Sequence, residues 1–175
     1  MALTKVRGLG LGTLDDNITF STAGKGVHIG VTSATAANLL DDFEEGTFSP
    51  VFHTGGGVNG LTHNYSLGTY TKIGNRVFLN GFASLSGKDG SSIIGGNVTI
   101  AGLPFTISSS NNAYSAAGIR IQNISFADQC SLATVVGGTT LDFREITNSG
   151  SVTTLTDGNI ASNSYVMFDI AYVVD

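Results

Sequence analysis

The sequence predicts an all-β protein: an antiparallel β-sandwich, jelly-roll-like, preceded by an extended N-terminal arm. Three observations carry this expectation. Gly, Ser, Thr and Asn make up 75 of the 175 residues, while charged residues make up 12%, about half the usual share. A helical bundle or coiled coil would need the Glu, Lys and Arg that are missing here. From about residue 47 onward, eight to ten short runs rich in Val, Ile, Phe, Thr and Tyr alternate with turn-forming residues, the pattern of a sandwich. Ahead of them, apolar residues interleave with glycine in pieces too short to close a core.

Composition also excludes several classes. A net charge of −5 with 41% hydrophobic residues excludes disorder throughout. No run of about 18 apolar residues occurs, so no membrane-spanning helix is expected. The start, Met1-Ala2-Leu3-Thr4-Lys5-Val6-Arg7-Gly8, lacks the apolar core of a signal peptide. Cys130 stands alone and cannot build a disulfide framework. A pI near 4.9 and thinly spread Lys and Arg argue against nucleic-acid binding. A surface this poor in charge suits a subunit that lives in an assembly.

The expected organisation is an anchoring arm over residues 1–40 and a sandwich over 41–175. In the arm, Leu3, Val6, Leu9, Leu11, Leu14, Ile18 and Phe20 are spaced among glycines and polar residues. Such a segment gains order by lying on a partner, so these seven residues are the candidate anchoring set. Residues 34–46 are expected to form one or two helical turns stopped by Gly46. Four of the five residues from 41 to 45 are acidic. Their spacing matches no calcium loop, and a solvated acidic turn or a dock for basic groups is expected rather than a metal site.

The strands follow in order. Residues 47–52 read as one edge strand, because Pro50 cannot donate to a ladder. Runs 68–73 and 76–83 flank Gly74-Asn75, a tight-hairpin signal. Further strands are expected at 97–100, 103–107, 119–126, 132–136, 141–146 and 152–155. The last, 165–174, is the longest. Val166, Phe168, Ile170, Tyr172 and Val174 share one of its faces, and the other face is also largely apolar, the pattern of a strand central in a core or of one covered on its second side by another subunit.

No constellation for chemistry emerges. His28, His53 and His63 are scattered and form no metal-ligand spacing. Cys130 has no CxxC partner and reads as a tolerated thiol rather than a nucleophile. Gly55-Gly56-Gly57-Val58-Asn59-Gly60 matches a dinucleotide-binding pattern literally. No helix with a downstream acid follows, so it reads as a loop between strands. No catalytic, cofactor-binding or metal residue is therefore expected, and the chain reads as no enzyme.

Four segments carry a resemblance. Leu3-Thr4-Lys5-Val6-Arg7-Gly8-Leu9-Gly10-Leu11-Gly12, followed by Asn17-Ile18-Thr19-Phe20 and Gly24-Lys25-Gly26-Val27, resembles the opening of small structural proteins of tailed bacteriophages, marine and cyanobacterial ones above all. Leu39-Leu40-Asp41-Asp42-Phe43-Glu44-Glu45-Gly46-Thr47-Phe48-Ser49-Pro50 is similar to the LDDYEEGTWTP segment of that group. Tyr70-Thr71-Lys72-Ile73-Gly74-Asn75-Arg76-Val77 resembles its YTKIGNxV hairpin, and Phe168-Asp169-Ile170-Ala171-Tyr172 resembles its closing strand. Phe43 and Phe48 stand where Tyr and Trp are frequent, which removes an aromatic platform sometimes linked to sugar binding.

The resemblance implies a virion protein without a cofactor, and it leaves two locations open. One is a homotrimeric capsid decoration protein, of cement or head-fibre type, anchored on the major capsid protein by its arm. The other is a tail-fibre or receptor-binding module. There, loops 55–65, 87–92 and 108–115, with Tyr65 and Tyr114, would touch a host surface glycan. Nucleic acid and membrane are partners in neither.

Overall fold

Alternation of apolar and polar side chains decides the architecture. The structure, a computed structural model, describes residues 20–22, 24–29, 39–93 and 95–175. The chain divides into two compact units, Met1–Asp41 and Asp42–Asp175. In the first unit, β1 (Val27–His28) pairs antiparallel with β2 (Leu39–Leu40). Gly26 leaves room for that pairing, since a Cβ there would lie 1.9 Å from the Leu40 carbonyl oxygen.

The second unit is all-β, an antiparallel sandwich as expected. It holds β3 (Phe43–Phe48), β4 (Val51–Thr54), β5 (Leu61–Ile73), β6 (Arg76–Lys88), β7 (Val98–Ala101), β8 (Gly118–Ile124), β9 (Gln129–Thr134), β10 (Thr140–Ile146), β11 (Val152–Thr154) and β12 (Ile160–Val173). Sheet one has the order β3-β5-β6-β12-β8. In sheet two, β10 pairs along one edge with β7 at its start and β11 at its end. It pairs along the other edge with β9, while β4 lies outside β7.

The core is built symmetrically from both sheets. Phe52, Val98, Ile100, Leu132, Leu141 and Phe143 come from sheet two. Val77, Leu79, Val166, Phe168, Ile170 and Tyr172 come from sheet one. Burying each such side chain stabilises the fold by roughly 1.5–3 kcal/mol. The Phe52 and Phe143 rings stack with centroids 5.9 Å apart. The Tyr172 hydroxyl, buried with its ring, donates to the Phe105 carbonyl at 3.2 Å. Burial pushes that phenol up to about 12.

Three glycines of sheet one sit directly opposite inward aromatic rings. The register pairs are Gly46 with Tyr70, Gly68 with Phe48, and Gly81 with Phe168. At Gly81 a Cβ would lie 2.3 Å from the Phe168 ring. Each ring therefore lies flat over its neighbouring strand, where a side chain would push it off.

Four sequence expectations are corrected. Residues 47–52 are not one strand. The chain leaves sheet one after Phe48, turns at Ser49 and buried Pro50, and enters sheet two at Val51. Proline's missing N–H suits a corner where the chain leaves one ladder for another. Gly102, at φ 87°, backs this corner, and a Cβ there would lie 2.5 Å from the Ser49 carbonyl oxygen.

The helical turns expected over 34–46 are replaced, from residue 39 on, by β2 and β3, because β3 finds a ladder along β5. Tertiary pairing overrides local propensity there. The run 103–107 is no strand. Leu103 and Ile107 are buried, but their N–H groups bond to the carbonyls of Thr139 and Gly138, in the turn before β10. Tyr65 lies on β5 and not in a loop.

The Gly74-Asn75 hairpin joins β5 and β6 as expected, with Gly74 at φ 56°. A second corner forms opposite the first. Residues 115–117 bond to β9 before β8 joins β12.

Candidate functional site

The outward side chains of sheet one form the most apolar exposed surface of the second unit. Strand alternation puts residues of one parity outside, and the register aligns them into rows. One row runs Leu67, Phe82, Met167, Arg120. Beside it, Tyr65, Ser84, Tyr165 and Gln122 form another. On the far side lie Thr71, Phe78 and Ala171, then Phe43, Ile73, Arg76 and Val173. Between them runs a polar row of Thr47, Thr69, Asn80, Asp169 and Gly118.

The aromatic side chains here brace one another. Tyr65 and Phe82 stack with centroids 5.3 Å apart and planes 21° from parallel. Phe82 meets Tyr165 edge-on at 5.9 Å. The Arg120 guanidinium lies 5.6 Å from the Tyr165 ring centroid, a contact of about 0.5–1 kcal/mol at an exposed site. Each of these rings has a face or an edge occupied by a neighbour. That arrangement suits packing by another apolar surface more than flat stacking on a sugar.

The outward face of sheet two mixes polar rows with Val51, Ile146 and Val152. His53, Thr99, Asp142 and Ala133 align across it, and Arg144 pairs with Asp142 at 2.7 Å. Nearby, the Phe52 N–H donates to His63 Nε2 at 3.0 Å, tying β4 to β5. That nitrogen must be unprotonated to accept. Burial lowers the pKa of His53 and of His63 below 6.5, and His53 lowers His63 further.

The acidic run is spread out, not gathered. Asp42 pairs with Lys72, and Glu44 accepts from the Tyr70 hydroxyl, raising that phenol's pKa. Among the described residues, no group of three or more His, Cys, Asp and Glu side chains could hold a metal ion. Cys130 is half-buried, and burial together with Glu145 pushes its thiol up to about 11. It stays protonated and is a poor nucleophile.

Of the candidate anchoring residues, Phe20 is exposed. Leu3, Val6, Leu9, Leu11, Leu14 and Ile18 lie outside the described residues. Of the loop candidates, Tyr114 is 66% exposed. Loop 87–92 is held by its own contacts, since the Ser91 and Ser92 hydroxyls both donate to Asp89 at 2.7 Å.

No protein-family model and no curated protein matches this chain. The sheet-one face was legible in part. The second apolar face of β12 was visible in its alternation, but the partnership with Leu67, Phe78 and Phe82 required the register.

Proposed function

We propose that this chain is a non-enzymatic structural protein of a tailed-bacteriophage virion. It is a homotrimeric capsid decoration protein, of cement or head-fibre type, attached to the major capsid protein through residues 1–40. One observation carries the reading. Among the described residues, every member of the buried core falls between Phe52 and Val174, while Phe20, Val27 and Ile29 leave 47%, 48% and 60% of their surface uncovered. The body completes its own core, and the leading unit presents apolar side chains that suit another surface. The sequence resemblance supplies the identity of that surface.

Binding in this reading comes from area and valency. An extended segment that adds to a neighbour's sheet edge gains backbone hydrogen bonds. Three such segments on one trimer raise each other's effective concentration. Deleting residues 2–30 is expected to abolish binding to empty heads while leaving a folded oligomer, read by co-sedimentation with particles. Truncated protein that still decorates heads sinks the reading. Copy number separates capsid from tail: hundreds per particle mean capsid, and a few dozen or fewer mean a tail fibre whose target would be a host glycan.

A further inference from the structure

β6 is the central strand of sheet one, with β5 and β12 beside it and β3 and β8 at the edges. About this strand the outward side chains are matched from one flank to the other. Tyr65 and Tyr165 flank Ser84, and Leu67 and Met167 flank Phe82. Thr71 and Ala171 flank Phe78, and Ile73 and Val173 flank Arg76. Each β5 residue thus has a counterpart of like character on β12. In the middle row Thr69 and Asp169 flank Asn80, a hydroxyl opposite a carboxylate. A half-turn about an axis lying in the face along β6 therefore lays each of these side chains on its counterpart in a second copy.

The area of the face fits one partner that covers it whole. Among the described residues, Phe43, Tyr65, Leu67, Ile73, Phe78 and Met167 are between 37% and 59% exposed. At roughly 200 Å² per side chain, they present on the order of 600 Å². Thr69, Asn80, Asp169 and Arg120, between and beside them, are exposed as well. Together they bring the face to the ~800 Å² per partner of a stable interface. That area is reached only across the full width of the sheet, which a second sheet packed face to face supplies, its strands within about 30° of the first.

We propose that the outward face of sheet one is the contact of a two-fold dimer, with the axis along β6. Such a contact is isologous: Leu67 of each copy meets Met167 of the other. Phe78 and Phe82 lie on the axis and meet their own equivalents, as aromatic pairs. Thr69 donates to Asp169 of the other copy, so the polar row is paired across the contact. The same half-turn lays β3 over β8. Glu45 sits on β3 and Arg120 on β8, so opposite charges share each rim. Arg76 meets its own equivalent, but at the end of the axis, where it stays in water. A half-turn about the polar row instead would set Asp169 on Asp169 and Leu67 on Thr71, and like charges placed together oppose association. The contact uses no part of residues 1–40 and is separate from the three-fold association of the proposed function. A chain that makes both contacts assembles in even numbers.

The test uses the full chain. Wild-type protein at micromolar concentration is expected to sediment as an even-numbered assembly, a dimer where this contact acts alone. Leu67→Asp and Phe78→Asp are each expected to halve the sedimenting mass with the wild-type circular dichroism retained. Thr99→Lys, on the outer face of sheet two, should leave the mass unchanged. Met167→Lys should halve it, and Leu67→Asp mixed with Met167→Lys should recover association that neither shows alone, because the half-turn sets the new acid on the new base. A wild-type monomer or trimer, an unchanged mass in a folded Asp variant, or a mixture that does not recover would each overturn the dimer. A trimer removes this inference and leaves the proposed function standing. A dimer supports this inference and removes the trimer from the proposed function.

Discussion

Among the described residues, the outward face of sheet one carries six large hydrophobic side chains left 37–59% exposed, Phe43, Tyr65, Leu67, Ile73, Phe78 and Met167; the outward face of sheet two carries one, Val152. Inside, the two sheets contribute alike, each with aromatic and branched side chains buried to the same degree. The difference teaches that hydrophobic patterning here serves two purposes. Period-two alternation on sheet two makes a solvated sheet with one buried face. The excess apolar residues on the outside of sheet one add nothing to the core and leave apolar side chains in water.

The inner faces give the largest expected effects, and equal ones. Phe143→Ala from sheet two and Phe168→Ala from sheet one should each lose about 3–5 kcal/mol, measured from urea midpoints. A large disparity between them would show that one sheet carries the core. Next comes the glycine that separates the sheets in kind. Gly81→Ala should cost roughly 1–3 kcal/mol, because its Cβ would press into the Phe168 ring, which has a buried and crowded seat. An unchanged midpoint would mean that the ring moves freely.

A smaller effect is pH-dependent. His63 is held below 6.5 by burial and accepts the Phe52 N–H. On acidification the unfolded chain takes up its proton first. Stability is therefore full above pH 6.5 and declines as pH falls through that value toward the lowered native one. Melting temperature should drop between pH 7 and 5, and His63→Gln should flatten the drop; an unaltered slope would assign it elsewhere. The smallest effect compares the exteriors. Leu67→Asp and Thr99→Lys should each change the stability of the chain by about 0.5 kcal/mol or less, despite their opposite settings. A larger loss for Leu67→Asp would show that its row packs within the chain.

Much of this architecture was readable from the residues, and the exceptions share a cause. The strand ending at Val173 declares itself because Val166, Phe168, Ile170 and Tyr172 alternate with outward residues, and Gly74-Asn75 names its own turn. Pro50 was readable as a ladder breaker. That it divides two strands in different sheets depends on β7, far along the chain. Leu103 and Ile107 look like strand residues because burial, which composition reports, is shared by strands and by well-packed irregular segments. Glu44 and Glu45 sit on a strand that β5 imposes from outside. The outer face of sheet one needed the register of three strands before its rows lined up. Of the anchoring set, the described residues contain Phe20 alone.

The corner at Pro50 has a mechanical consequence. The chain enters the body at Asp42, whose carbonyl accepts the Gly74 N–H, and runs straight into the six register pairs from Phe43–Ile73 to Phe48–Gly68. A pull directed along β3 loads those rungs together in shear instead of peeling them singly. Beyond them, the buried proline wedge must be dragged out before the load reaches β4, so tension on the leading residues meets its resistance at the first strand of the sandwich.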